Sequence, residues 1–188
     1  MQVTELLIKK CIEGDQIAIK KLYKACYSFM MGISIRYQGS ETEAEDAMNQ
    51  GFLKVIQNLK SYDPKRGFKS WFAKIIVNTN IDIYRSNKRH KALNVYVENY
   101  NGFETNALSI QLESNSLFEY EELLALIKKL TPMTQKVFNL YVIDGYKHKE
   151  IAELLDISDG TSKWHLSTAR KTLQKELEKM TIRKIHAI

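Results

Sequence analysis

Helix-breaking residues are scarce in this chain of 188 residues, which contains two prolines and eight glycines. Apolar residues recur every three or four positions over long stretches, the spacing that gives a helix one apolar face. A chain with this pattern and few turn residues favours helices over strands. The sequence therefore predicts an all-α fold.

Turn and cap signals divide the chain into separate helices. Ser40 with Glu43 has the form of a capping box, and the stretch SYDPKRG at residues 61–67 contains a proline and a glycine that interrupt a helix. Pro132 suits the first turn of a later helix. The predicted helices cover 3–13, 16–37, 41–60, 69–87, 117–130, 132–144, 148–155 and 160–179.

Charge is distributed unevenly along the chain. Residues 60–91 contain nine basic and two acidic residues, residues 92–122 contain six glutamates and no basic residue, and residues 123–188 contain twelve basic and seven acidic residues. Two basic blocks separated by an acidic one suggest two modules that bind a polyanion, joined by a flexible acidic linker. The predicted boundaries are 1–91 for the first domain, 92–116 for the linker and 117–188 for the second domain.

Several other classes of protein are disfavoured. No apolar stretch is long enough to cross a membrane, and the N-terminus lacks the basic-then-apolar pattern of a signal peptide. Cys11 and Cys26 form no CxxC or Cys/His cluster, so we expect reduced thiols in a cytoplasmic protein without a bound metal. Motifs of hydrolases, phosphate-binding loops and zinc proteases are missing, so we expect no enzyme activity, no cofactor and no small-molecule substrate.

Residues 148–173 have the form of a helix-turn-helix, with Asp156 at a turn position that needs a left-handed backbone. On the second helix, positions spaced by four, three and four form the predicted inward face: Ser162, Leu166, Ala169 and Leu173. The outward face combines cations, hydroxyls and one indole, which suit phosphates, base edges and sugars in a major groove. The predicted contacts with duplex DNA are Thr161, Lys163, Trp164, Ser167, Thr168 and Lys171.

Two interpretations of this last helix remain open. It is either a DNA-reading helix, which the preceding EIAELL and turn favour, or a solvated basic helix at the end of a bundle. His165 lies beside the outward face, and its side chain either supports the helix or contacts a phosphate.

Residues 59–91 interleave aromatic residues with cations. Cations can follow a phosphate backbone while aromatic side chains receive unstacked bases, so this composition is typical of a site for single-stranded nucleic acid. A polar stripe at spacings of four, four and three suits base edges: Lys74, Asn78, Asp82 and Arg85. The full predicted set is Tyr62, Lys65, Arg66, Phe68, Lys74, Asn78, Asp82, Arg85, Lys88 and Arg89.

A structural interpretation of the same helix also remains open. Trp71, Phe72 and Ile75 can equally be core residues, and Asn78 with Asp82 can be a buried hydrogen-bonded pair.

Three stretches together carry a resemblance to a known family: AEDAMNQGFLKVI, FKSWFAKIIVNTNIDIYRSNKR and KEIAELLDISDGTSKWHLSTARKTL. In this order and spacing they resemble an extracytoplasmic-function (ECF) sigma factor of bacterial RNA polymerase, a member of the sigma-70 family. The resemblance covers nearly the whole chain. It implies a σ2-like helical bundle and a σ4-like helix-turn-helix joined by the acidic linker.

The resemblance also implies partners and roles. Core RNA polymerase would bind the helix that follows SETEAED. Promoter DNA would be read as a single strand at the −10 element by Tyr62–Arg85, which promotes melting, and as duplex at the −35 element by the helix-turn-helix. The family often has an anti-sigma factor, so we include one among the expected partners. The implied polymerase contacts are Asp46, Asn49, Gln50 and Phe52.

The predicted function is a transcription initiation factor that directs core RNA polymerase to specific promoters and promotes −10 melting. The alternative is a stand-alone helix-turn-helix regulator that binds duplex DNA without polymerase. That alternative leaves the stretch WFAKIIVNTNIDIYR without a role.

Overall fold

A computed structural model describes residues 3–93 and 122–185, with side chains described for 3–89 and 122–180. Within these ranges the secondary structure consists of helices and connecting turns, and the two ranges belong to two separate compact units. The prediction of an all-α chain with two helical domains is confirmed. The predicted linker, apart from its first two residues, lies outside the described residues, and so do residues 117–121.

The first unit contains α1 (Glu5–Ile12), α2 (Gln16–Ser34), α3 (Glu41–Asn58), a 3₁₀ turn (Leu59–Ser61) and α4 (Phe68–Leu93). The second unit contains α5 (122–128), α6 (Pro132–Phe138), a π-helical segment (Asn139–Ile143), α7 (His148–Leu155) and α8 (Asp159–Ile185). No helix in the described part of the chain is both long enough and apolar enough to cross a membrane.

Side-chain caps fix where the first helices begin. Thr4 caps α1, and the carboxylate of Asp15 accepts hydrogen bonds from the first backbone amides of α2, which lowers the pKa of that carboxyl. The predicted capping box is present, because Ser40 accepts from the amide of Glu43 while the Glu43 carboxylate accepts from the amide of Ser40. These local interactions position α3, one of the helices that carry the predicted site.

The core of the first unit lies between α2, α3 and α4, with α1 packed on α2. Its largest fully buried side chains include Leu22, Met30 and Phe72. Helices α3 and α4 approach closely at Gly51, where an added Cβ would lie 2.7 Å from Cδ1 of Ile76. A side chain at this position would have to displace the end of the Ile76 side chain.

The second unit has its own core, which is formed by α5, α6, α7 and α8 around Val137, Leu140, Ile151 and Leu155. Asp156 ends α7 with φ 54° and ψ 55°, the left-handed conformation predicted for the turn. Because α7 and α8 are joined through this tight turn, their packing fixes the direction of α8.

Three predicted helix ends were wrong. α4 continues to Leu93 rather than 87, and α8 continues to Ile185 rather than 179, because neither stretch contains a glycine or proline that would stop it. Residues 92–93 are therefore helical. α2 ends at Ser34 rather than 37, where the chain tightens into turns.

The sequence also failed to predict the π-helical segment that follows α6. A regular helix would have buried Phe138, Tyr141 and Val142, but Val142 is 49% exposed, Phe138 and Tyr141 are half-buried, and Leu140 is buried instead. The wider i→i+5 turn rotates the following side chains relative to the core, which accounts for the positions of Tyr141 and Val142.

Candidate nucleic-acid interface

An aromatic cluster, defined by Tyr62, Phe68 and Trp71, lies where the 61–67 turn meets α4. The ring centroids are 5.4 Å apart for Tyr62 and Phe68, 5.1 Å for Tyr62 and Trp71, and 5.8 Å for Phe68 and Trp71. All three side chains are half-buried, whereas Phe72 behind them is fully buried. The cluster therefore packs against the core on one side and is accessible to solvent on the other.

Exposed cations lie beside the aromatic cluster in the sequence. The carboxylate of Asp63 accepts a hydrogen bond from the amide of Lys65 at 3.0 Å, and the amide of Arg66 donates to the Asp63 carbonyl at 2.9 Å, so the turn has a defined shape. Lys65, Arg66, Lys69 and Lys74 are exposed. The arrangement offers positive charge for phosphates beside rings on which bases can stack.

The polar stripe of α4 extends away from the aromatic cluster. Asp82 is exposed, and its Oδ2 lies 3.0 Å from Nζ of Lys54 on α3. Asn78 is half-buried one turn earlier, and Lys74 and Arg85 are exposed. Lys88 and Arg89 continue the basic surface toward the end of the helix, where both are exposed.

The buried amide of this helix is Asn80, a residue that the sequence did not single out. Its Nδ2 donates to Oγ of Ser34 at 3.2 Å and to the carbonyl of Ile76 at 2.9 Å, and its Oδ1 accepts from Nε2 of Gln38 at 2.8 Å. The idea of a buried Asn78–Asp82 pair is wrong, since Asp82 is exposed. Of the three residues considered as core, only Phe72 is fully buried, while Trp71 and Ile75 are half-buried.

The outer face of α3 presents most of the residues expected to contact polymerase. Asp46, Asn49 and Gln50 are exposed, and Oδ1 of Asn49 accepts a hydrogen bond from the Tyr23 hydroxyl at 2.8 Å. Phe52 is only 9% exposed and packs edge-on against Tyr23, with centroids 5.0 Å apart. Phe52 therefore lies mostly beneath this surface, and its contact with polymerase stays a prediction.

Sequence reasoning missed the apolar residue that this face does expose. Leu53, one position after Phe52, is 58% exposed. The helical period decides between the two neighbours, because Phe52 shares the inward face with Met48 and Val55, whereas Leu53 follows Gln50 on the outward face.

The inward face of α8 is largely as predicted. Ser162, Leu166 and Ala169 are buried, while Leu173 is half-buried. The hydroxyl of Ser162 lies 2.9 Å from Nδ1 of His148 on α7, so the one polar residue of this face has a partner inside the unit. The inward face of α8 therefore holds α7 and α8 together in the helix-turn-helix.

The outward face of α8 leaves its predicted contacts accessible. Lys163, Ser167 and Lys171 are exposed, Trp164 is 61% exposed, and Thr161 and Thr168 are half-buried. Lys163 forms an ion pair with Asp159, which lowers the pKa of that carboxyl, and the Thr161 amide donates to Oγ of Ser158 at 2.9 Å. An exposed indole between lysines is the feature that the sequence predicted for a DNA-facing helix.

His165 lies between α6 and α8 rather than on the exposed face. Its Nδ1 is 2.9 Å from Oγ1 of Thr134, and burial lowers the pKa of the imidazole. Of the two interpretations of this residue, the geometry favours structural support. Among the described residues, no group of three His, Cys, Asp or Glu side chains is arranged to bind a metal ion.

Two family models match the chain, and each falls on one of the two units. Sigma-70 region 2 matches residues 22–90, and Sigma-70 region 4 matches residues 120–173. The chain belongs to the sigma-70 family. A sigma factor directs RNA polymerase to promoters, and this is the function of the class. The region 2 match also accounts for the basic aromatic block that a stand-alone regulator leaves without a role.

Similar proteins indicate the group within this family. The chain is 29% identical over 194 residues to the ECF RNA polymerase sigma factor SigW of Bacillus subtilis, covering 92% of this chain and 98% of SigW. It is 21% identical to the ECF RNA polymerase sigma-E factor of Haemophilus influenzae, covering 93% of this chain and 95% of the relative. The chain is therefore an ECF sigma factor.

A solved structure supports the fold. The co-crystal structure of the sigma factor RpoE in complex with the anti-sigma factor NepR from Bartonella quintana matches with a TM-score of 0.52 and 19% identity. The match covers 85% of this chain and 96% of that chain. At this identity the likeness concerns the arrangement of helices.

Proposed function

We propose that this chain binds core RNA polymerase through the outer face of α3, reads the −10 element as a single strand through the first unit, and reads the −35 element as duplex through α8. The first domain extends at least to residue 93, because α4 does. The linker follows it, and the second domain begins near residue 117. No catalytic step is assigned to any residue, and the chain acts in the cytoplasm, where it meets polymerase.

The observation that carries the −10 proposal is the half-buried aromatic cluster beside exposed cations. Opening duplex DNA costs about 1.4 kcal/mol per base step in stacking. Stacking an unpaired base on an aromatic side chain contributes about 1–3 kcal/mol. Capture of a few bases on Tyr62, Phe68 and Trp71 can therefore offset the opening of a few steps without nucleotide hydrolysis.

The polar stripe supports base reading next to this platform. Asn78 offers an amide and Asp82 a carboxylate, groups that hydrogen-bond to the edges of unpaired bases. Lys74, Arg85, Lys88 and Arg89 supply charge for the phosphates of the same strand.

Two further features support the remaining roles. For polymerase binding, α3 presents Asp46, Asn49, Gln50 and Leu53 on one exposed face. For the −35 element, the outward side of α8 presents an indole, hydroxyls and lysines on a helix fixed by the turn at Asp156. An anti-sigma factor remains an expected partner, because relatives of this family often have one.

The test uses the full chain with core RNA polymerase on a promoter fragment that contains 2-aminopurine in the −10 element. We expect Asn78→Ala and Asp82→Ala to reduce the fluorescence rise that reports base unstacking, while polymerase binding stays intact. Lys9→Met, on the exposed side of α1, is the control and should behave as the wild type. If the two variants instead fail to bind polymerase and show no promoter-specific defect, their roles are structural.

A second measurement separates this function from the stand-alone regulator. In a gel shift, a sigma factor should bind promoter DNA specifically only with core polymerase, whereas a regulator binds its operator alone. In either case, DNA binding should weaken steeply as the salt concentration rises if lysines and arginines contact phosphates.

A further inference from the structure

Lys54 belongs to neither predicted contact set, yet it reaches the centre of the polar stripe. Its Nζ lies 3.0 Å from Oδ2 of Asp82, and this ion pair connects α3 to α4. Both side chains keep access to solvent, with exposed fractions of 44% for Lys54 and 59% for Asp82. The pair is therefore at the surface where a ligand can reach it.

The position of Lys54 on α3 joins two proposed surfaces. Asp46, Gln50 and Lys54 recur every four residues and so share one face of the helix. The first two are proposed polymerase contacts, while the partner of Lys54 follows Asn78 by one turn on the proposed base-reading stripe of α4. The ion pair lies where the polymerase-binding face meets that stripe.

An unpaired carboxylate is a poor neighbour for a nucleic-acid strand. The phosphates of the strand repel its negative charge. Without a partner, an exposed side chain also rotates freely, so its oxygens have no fixed direction. A lysine at 3.0 Å offsets the negative charge and holds one carboxylate oxygen, Oδ2, which leaves Oδ1 of Asp82 able to accept a hydrogen bond. The donors that fit such an oxygen are the exocyclic amines of adenine, cytosine and guanine.

Folding does not explain the pair. Ion pairs between exposed side chains contribute little to the stability of a protein. The α3–α4 packing is already provided by the buried contacts around Gly51 and Ile76. Removing the Lys54 charge should consequently leave the unit folded and make its effect on DNA measurable.

We propose that Lys54 is a positioning residue for −10 recognition: it orients the Asp82 carboxylate to accept a hydrogen bond from the amine of an unpaired base, and it offsets the repulsion between that carboxylate and the DNA strand. This inference rests on the proposed single-strand function of the first unit. Lys54 itself does not contact polymerase in this proposal.

The test compares Lys54→Met, which keeps an apolar stem of similar length, with Lys54→Arg, Lys9→Met and Asp82→Ala. Each full-length variant is assembled with core polymerase, and open complexes are measured by 2-aminopurine fluorescence. The promoter series replaces each −10 base of the non-template strand, one at a time, with a base that lacks the exocyclic amine.

We expect Lys54→Met to lower open-complex formation about three- to tenfold, the range that loss of one hydrogen bond produces. It should also flatten the discrimination at one position of the promoter series, with polymerase affinity unchanged. Lys54→Arg should restore both properties, and Lys9→Met should match the wild type. The double variant Lys54→Met/Asp82→Ala should be no worse than Asp82→Ala alone, because both changes remove one interaction.

Two outcomes overturn the inference while leaving the proposed function in place. One is a Lys54→Met variant that opens promoters and discriminates bases like the wild type although Asp82→Ala is defective. The other is a Lys54→Met variant whose loss is explained by weaker polymerase binding, which would make Lys54 a polymerase contact. If the wild type opens no promoter in this assay, the proposed function itself fails.

Discussion

Asn80 offers a sharp test of which amide of α4 is structural, because its side chain is fully buried and makes three hydrogen bonds. Asn80→Ala removes all three and leaves the buried hydroxyl of Ser34 without this donor. A net hydrogen bond contributes about 1 kcal/mol, and an unsatisfied buried group costs about 1–3 kcal/mol. We therefore expect a loss of about 2–4 kcal/mol in the unfolding free energy of the first unit.

Asn78→Ala is the matched comparison in the same helix. Asn78 is half-buried, so its replacement should cost less than about 1 kcal/mol. The assay is urea unfolding followed by tryptophan fluorescence in a Trp164→Phe background. The chain has two tryptophans, so the remaining indole, Trp71, reports only the first unit.

The reverse order of stabilities would refute this reasoning. If Asn78→Ala destabilises the first unit more than Asn80→Ala, then Asn78 is the structural amide and its proposed role in base reading loses its basis. A cost below about 1 kcal/mol for Asn80→Ala would show that its three hydrogen bonds are exchanged for water at little loss.

Three further perturbations test the second unit. Trp164→Ala should change its unfolding free energy by less than about 0.5 kcal/mol, because the indole is exposed, and should weaken promoter binding by holoenzyme about tenfold in a filter-binding assay. Burial lowers the pKa of Lys136 from 10.5 to about 8. Between pH 8 and 10.5 the unfolded chain therefore binds more protons than the folded chain, and the unfolding free energy rises with pH. Lys136→Met should remove that rise in urea titrations. Lys129 and Lys179 lower the pKa of Glu176 from 4.5 to about 2, so its stabilising contribution is present above pH 4.5 and is lost as the pH falls toward 2; Glu176→Gln should make acid unfolding less steep over this interval.

Each of these expectations has a contrary result. Strong destabilisation by Trp164→Ala would assign the indole to packing. An unchanged rise in stability above pH 8 in Lys136→Met would show that another group titrates there. For Glu176→Gln, an acid transition as steep as that of the wild type would mean that the two lysines do not stabilise the folded state through this carboxylate.

The sequence predicted the parts of the fold that depend on local interactions. The capping box at Ser40 and Glu43 and the left-handed turn at Asp156 each follow from a few neighbouring residues. The inward face of α8 follows from helical periodicity. The π-helical segment after α6 was missed because no local residue type specifies it.

The candidate site shows the same division between local and tertiary information. The interleaved cations and aromatic residues predicted a basic surface around residues 62–74, although Phe72 within this stretch is fully buried. It did not show that Asn80 rather than Asn78 is the buried amide, because that choice depends on Ser34 and Gln38, more than forty residues earlier in the chain. The Lys54–Asp82 pair is likewise a contact between two helices.

Run-off transcription with bacterial core RNA polymerase on genomic promoter fragments tests the function most directly. RNA should start at defined positions only when the full chain is present, with an opened −10 region upstream of each mapped start. If the same polymerase remains active in nonspecific synthesis but never starts at a defined position on any native template, the proposed initiation function is contradicted.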